Sequence, residues 1–243
     1  MCRMFLLKGG FKEDFSTLFS ISKKISETDP LHYISDSFPK NHIDGWGYVY
    51  FSENSINYFR SMEPLYKSYE PSVGNGYLLL HMRNRSGQEP VGVGNSHPFH
   101  LSARDGDYYL AHNGHFNKKK ISDYLGIMDS EKENDTLVFL RFLVSLKGEI
   151  NEKIKDSIKK SLEMDFIDSL ANLFLAFVDK NGKIRAFAIS ESSPYLKYSL
   201  YDELFMVEDK HWKGVFSSSY LQFKEIFENR TVDKLRKGIL YEL

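Results

Sequence analysis

Apolar residues are spaced along this chain so that strands and helices separate before any other property is consulted. Residues 2–7 form a short apolar run closed by Gly9-Gly10, which predicts a buried strand anchoring the amino terminus, and over 14–25 the apolar positions recur at helical spacing. Residues 47–51 and 55–59 are rich in β-formers and flank Ser52-Glu53-Asn54, the pattern of a hairpin. Residues 77–83 run apolar and then turn polar at His81-Met82-Arg83, as expected of a central strand whose end opens onto a site. Residues 108–112 repeat that pattern. Between these two strands, 84–99 is rich in Gly, Pro, Asn and Ser and predicts a loop, long enough to suggest that it carries function.

In the second half, Asp135-Thr136 can cap a helix running through Leu137, Leu140, Phe142 and Leu143, and 149–164 reads as a second amphipathic helix. Residues 173–178 and 184–189 flank Asp179-Lys180-Asn181-Gly182, where Asn-Gly favours a tight hairpin. Further strands are predicted at 204–207 and 214–217, and a helix at 219–227. No repeat, low-complexity tract or linker divides the sequence, so one domain over 1–243 is expected. Strands at both ends with helices between them predict two sheets sandwiched by helices.

Composition narrows the function classes. The 243 residues suffice for one large core. Lys and Arg number 32 against 33 Asp and Glu, which gives no reason to expect a nucleic-acid or membrane-surface partner. The Lys-rich stretches alternate with acidic and apolar residues and read as solvated helix faces. No stretch approaches the roughly 20 apolar residues of a membrane span, and the opening apolar run is too short for a secretory signal. With one cysteine there can be no intramolecular disulfide, and a cytoplasmic location is expected. The many Phe and Tyr residues suit sheet and core packing better than base stacking.

That one cysteine is Cys2. A small side chain at position two normally permits removal of the initiator methionine, which would place a thiol and a free α-amine on one residue. A thiol of pKa about 8.5 beside an amine of about 7.7–8.0 is a nucleophile that carries its own base. Taken alone, Cys2 could equally begin a buried strand. Four downstream segments change that reading by their order: Asp44-Gly45-Trp46-Gly47-Tyr48, His81-Met82-Arg83-Asn84-Arg85-Ser86-Gly87, Asn95-Ser96-His97-Pro98-Phe99 and Ala111-His112-Asn113-Gly114.

Following a cysteine at position two, this series resembles the class II glutamine amidotransferases, the glutaminase domains of the N-terminal nucleophile superfamily. The resemblance extends from Cys2 to about Phe142. It implies an α+β fold, a four-layer αββα sandwich of two mainly antiparallel sheets. It also implies hydrolysis of the side-chain amide of glutamine, or of a γ-glutamyl amide, through a thioester on Cys2, with no cofactor. Asn113 and Gly114 match the oxyanion-stabilising pair, and Arg83 matches the arginine that grips the substrate α-carboxylate, with Ser86 nearby. Asp135 is the first choice for the carboxylate that holds the substrate ammonium, and Asp129, opening Asp129-Ser130-Glu131, competes with it. Either aspartate could instead serve only as a helix cap. His81 and His97 are expected to support the loop and strand ends.

The resemblance also implies partners. No segment is similar to the synthase domains that usually consume the ammonia, so the chain resembles a free-standing glutaminase-type domain. Two jobs compete: supplying ammonia to a partner synthase subunit, or hydrolysing a γ-glutamyl small molecule. Two features depart from the family pattern, Arg85 where a small residue is common and Asn84 where an aromatic often stands. If Met1 is retained, the Cys2 nitrogen is an amide and no base. Two rival readings remain. One is a non-catalytic binding protein on the same fold. The other is a metal-dependent hydrolase using His81, His97, His100, His112 and His115, although the three-residue spacings within that group straddle Pro98-Phe99 and Asn113-Gly114 and have no helical meaning.

Overall fold

The computed structural model describes residues 1–85, 89–128, 133–197 and 199–243; two expected site residues, Ser86 and Asp129, lie outside the described residues. In chain order the elements are β1 (Arg3–Gly9), α1 (Lys12–Glu27), β2 (Trp46–Phe51), β3 (Ile56–Ser61), β4 (Gly76–Met82), β5 (Phe99–Ala103) and β6 (Gly106–Phe116). There follow α2 (Lys118–Leu125), α3 (Asp135–Ser145), α4 (Ile150–Glu163), β7 (Ile167–Asp179) and β8 (Ile184–Ser192). The chain closes with β9 (Leu204–Glu208), β10 (Trp212–Ser217), α5 (Lys224–Phe227), β11 (Thr231–Lys234) and β12 (Tyr241–Glu242).

The strands form two antiparallel sheets. One has the order β11-β9-β10-β1-β4-β2-β3 and the other β12-β8-β7-β6-β5. Alternation along each strand then builds three apolar layers. Phe5 and Leu7 of β1 and Leu78, Leu80 and Met82 of β4 point outward onto Phe15, Leu18, Phe19 and Ile25 of α1. Their sequence neighbours Met4, Leu6 and Leu79 point inward, against Ala111, Phe174, Ala176, Ala186 and Ala188 of the second sheet. Small alanines on that inner face let the sheets approach closely. The other face of the second sheet carries Leu110, Leu173, Leu175, Phe187 and Ile189 under α3 and α4. The result is the expected αββα sandwich.

Several boundaries differ from expectation, each for a local reason. The helix predicted at 219–227 is a 3-10 turn (Ser218–Gln222) and the single-turn α5, separated by Phe223 in extended conformation. Helix α3 is capped not by Asp135-Thr136 but by Asn134, whose side chain accepts from the Thr136 N–H, so Asp135 is the first helical residue. Strand β5 begins at Phe99, where the predicted loop was to end. Helix α2 was not foreseen; Asn117 caps its start and Gly126, at φ 65°, ends it.

Candidate active site

Strands β1 and β4 run side by side in one sheet, with Arg3 opposite Met82, so Cys2 and Arg83 emerge together at one end. On the facing sheet β6 and β7 bring Asn113 and Gly114 to the same end. Gly114 has φ 145°, and a Cβ there would lie 1.6 Å from the Leu170 carbonyl oxygen, so no other residue fits. The β6–β7 register shifts just after Gly114. A bulge of this kind interrupts the ladder where the chain must present backbone to a ligand.

The two sheets meet through Cys2. Its backbone nitrogen donates to Asn113 Oδ1 at 2.7 Å, a bond between residues 111 positions apart. That bond orients the amide: with Oδ1 engaged, Asn113 Nδ2 is buried and without a hydrogen-bond acceptor. A buried unmade N–H is costly, about 1–3 kcal/mol, and such a donor is useful where negative charge appears only during a reaction. Burial pushes the Cys2 thiol above its ordinary pKa, against the opposing pull of the nearby amino-terminal charge. Its sulfur contacts the Asn84 carbonyl at 3.7 Å. Met1 is in place here, with its ammonium 3.1 Å from Asn84 Oδ1.

A cavity of about 200 Å³ opens beside these groups, lined among others by Cys2, Arg83, Glu89, His97, Asn113, Gly114 and Asp135. Of the expected site residues in the described chain, only His81 is not on its wall. Arg83 is 1% exposed, and its Nη2 donates to Glu89 Oε2 at 3.0 Å and to the Pro90 carbonyl at 3.1 Å. Both bonds use Nη2, which leaves Nη1 and Nε for another carboxylate. Asp135 is largely committed to the fold: Oδ2 accepts from the Phe116 N–H at 2.7 Å, and Oδ1 from the Thr136 N–H at 2.7 Å. It thereby ties the bulge of β6 to the start of α3 at the cavity wall.

Three histidines lie behind the site. His81 Nε2 meets the His112 carbonyl at 3.2 Å, joining the sheets a second time. His97 Nε2 and His112 Nδ1 each lie 3.0 Å from Thr136 Oγ1, and His112 Nε2 lies 3.1 Å from the Leu170 carbonyl. Burial drives His81 and His97 well below the ordinary imidazole pKa, and it lowers His112 against the pull of Asp135. All three are therefore neutral. One proton assignment satisfies both histidine contacts of Thr136: His97 Nε2–H donates to Thr136, the Thr136 hydroxyl to His112 Nδ1 in preference to the more distant Asp135 Oδ1 at 3.3 Å, and His112 Nε2–H to Leu170. His100 stands apart, paired with Asp107, whereas His115 is on the cavity wall and pairs with the exposed Asp168. Among the described residues no three His, Cys, Asp or Glu side chains are grouped to hold a metal ion.

Sequence reasoning missed two parts of this region. Thr136 was read only as a cap and proves to be the hub of the histidines. The other part is a fully buried ionic cluster beside Cys2: Asp29 Oδ2 accepts from Arg3 Nε at 2.9 Å and from His42 Nε2 at 2.8 Å, and Ser219 donates to both Asp29 oxygens. The Arg3 guanidinium also lies 3.3 Å over the Tyr201 ring. Burial alone would raise the Asp29 carboxyl, but His42 and Arg3 hold it far below the carboxylate range, while burial pushes His42 down to about 4. The cluster fixes the start of β1 one residue from Cys2. Only the run Met1-Cys2-Arg3 hinted at it, because its partners come from 26 to 216 residues away in sequence.

Comparison with solved structures identifies the architecture. Glutamine phosphoribosylpyrophosphate amidotransferase from B. subtilis aligns over 99% of this chain with a TM-score of 0.67 and 13% identity. The chain has the N-terminal nucleophile hydrolase fold. At that identity the likeness is one of fold, and the chain spans about half of the amidotransferase, 47% of its length. A predicted glutamine amidotransferase from Pseudomonas aeruginosa PA01 aligns over 100% of this chain and 93% of its own, with a TM-score of 0.47 and 12% identity. No family model and no curated protein sequence matches the chain. No helix among the described residues is long and apolar enough to cross a membrane. Within that fold, Cys2 directly precedes the first strand, at the seam of the two sheets.

Proposed function

We propose that this protein is a glutamine amidotransferase or amidohydrolase in which Cys2, freed of Met1, attacks the side-chain amide of glutamine or a γ-glutamyl compound. The observation that carries this reading is the 2.7 Å bond from the Cys2 nitrogen to Asn113 Oδ1, which leaves Asn113 Nδ2 buried and unpaired at the cavity.

The chemistry follows from these positions. Loss of Met1 converts the Cys2 amide nitrogen into an amine beside its own thiol. The amine takes the thiol proton, and sulfur attacks the amide carbon. Negative charge on the carbonyl oxygen is met by Asn113 Nδ2 and the Gly114 N–H, donors fixed before the reaction begins. Collapse breaks the C–N bond as the ammonium of Cys2 protonates the leaving nitrogen, so ammonia or an amine departs and a thioester remains. Water, deprotonated by the same amine, hydrolyses the thioester to the carboxylate and restores the thiol.

Arg83 Nη1 and Nε take the substrate α-carboxylate, with Ser86 nearby. The substrate ammonium falls to Asp135, with Asp129 as the competing carboxylate. His81 and His97 hold the walls. Met1 is on the wall of the cavity of about 200 Å³, so its loss widens the site, where glutamine is the preferred substrate and ammonia the product offered to a synthase partner. Protein verified by intact mass to begin at Cys2 should release glutamate from glutamine, and a diazo-ketone norleucine should label Cys2. Absence of both, with γ-glutamyl amides also inert, would leave a binding protein on the same fold.

A further inference from the structure

A second and larger cavity lies at the opposite end of β6 from Cys2. It is a groove of about 750 Å³ where three turns converge: β5–β6, α3–α4 and β7–β8. Six cations line it, Arg104, Lys147, Lys153, Lys180, Lys183 and Arg185, against three carboxylates, Asp105, Glu149 and Asp179. The chain as a whole carries a net charge of −1, so this local excess is built by the topology.

The three carboxylates are already engaged by the fold. Asp105 accepts from Lys153 at 2.6 Å and from the Tyr108 hydroxyl at 2.7 Å. Glu149 caps its own helix, and Asp179 accepts from the backbone N–H groups of Asn181 and Lys183. Of the cations, Lys153 is spent on Asp105, and Arg185 is paired with Glu242 at 2.7 Å. Among the described residues the side chains of Arg104, Lys147, Lys180 and Lys183 make no hydrogen bond or ion pair. Four like charges around one groove repel each other, a cost that Asp179 and Glu242 offset only in part through their electrostatic pull on Lys180 and Lys183; a multivalent anion would offset the rest. The wall beneath them is partly apolar, with Val144, Leu146 and Phe177.

We infer that this groove binds a small molecule bearing a di- or triphosphate group, with Arg104, Lys147, Lys180 and Lys183 around the phosphates. This site is independent of the Cys2 chemistry and lies about 23 Å from it, seven residues along β6 from Gly106 to Asn113.

The test is calorimetric titration of the full chain with pyrophosphate and with ATP at low ionic strength. Sub-millimolar binding of both is expected, and it should weaken at least tenfold in the double variant Lys147→Glu, Lys183→Glu. A control of equal charge change on α1, which packs on the outer face of the other sheet, Lys12→Glu with Lys24→Glu, should leave it unaltered. Equal affinity for the two probes would assign the site to a phosphate chain alone, and tighter ATP binding to a nucleotide. No heat at millimolar probe, or equal weakening by the control variant, would overturn the proposal. So would affinity for single-stranded oligonucleotides that rises with their length, because it would mark an extended surface. All substituted side chains are exposed, and a melting curve of each variant checks that it folds.

Discussion

In the roles proposed for them, the two ends of β6 prepare for negative charge in opposite ways. At the Cys2 end the groups are buried and neutral: three uncharged imidazoles and an amide N–H left without an acceptor. At the groove end they are exposed, permanently charged and without partners. The difference matches the lifetime of the charge each end can meet. A charge that exists only in a transition state is best met by fixed neutral dipoles in a dry site, which cost no counter-charge at rest. A permanent anion arriving from water is best met by cations that stay hydrated until it binds. Permanent charges also stand at the Cys2 end, but they are paired: the self-contained Asp29 cluster, and Arg83 with Glu89.

The largest expected effect would break the comparison at its first term. Cys2→Ala should reduce glutamate release to background and abolish electrophile labelling while leaving pyrophosphate binding intact; joint loss of both would mean that the two ends are not independent. Next, Asp29→Ala leaves Arg3 charged and uncompensated in the interior, and should cost about 3–5 kcal/mol in denaturant unfolding. Asn113→Ala removes the orphaned donor. It should lower kcat about 10²–10³-fold with little change in KM, whereas a mere structural role would appear in the melting curve instead.

Acid sharpens the contrast further. His42 titrates near 4 in the folded chain against about 6.5 unfolded, so the unfolded state takes up protons first as pH falls. Its contribution to stability is complete above pH about 6.5 and is lost as pH falls toward 4, about 3 kcal/mol in all. His81 and His97 shift in the same direction and add to the loss. Unfolding free energy measured from pH 7 to 4 should therefore fall steadily, and His42→Gln should flatten the curve. The smallest effect is Arg83→Lys, which keeps the charge but loses the planar fork. It should raise KM for glutamine roughly tenfold with kcat nearly unchanged, read from initial rates.

What was legible in the sequence was local periodicity and motif order. Cys2, Arg83, His97, Asn113 and Gly114 were named from the order of their motifs and Asp135 from its place before an apolar helix, and the structure lines one cavity with them. The β7–β8 hairpin was announced by Asn181-Gly182, because turn chemistry is confined to a few residues. Strand β5 and helix α2 were not announced, since their apolar faces have meaning only against the second sheet and α3. Asp135 could not be told from a cap, because its bond to the Phe116 N–H spans 19 residues.

By itself, then, the sequence determined the alternation that stacks two sheets between helices and the glycine that a backbone at φ 145° requires. Only the tertiary structure decided which amide atom of Asn113 faces Cys2, which hydroxyl joins His97 to His112, and which lysines surround one groove. Periodicity and steric limits act between near neighbours in the chain. Hydrogen-bond polarity, burial and charge excess depend on approaches across dozens of residues, and those distances exist only once the sheets have packed.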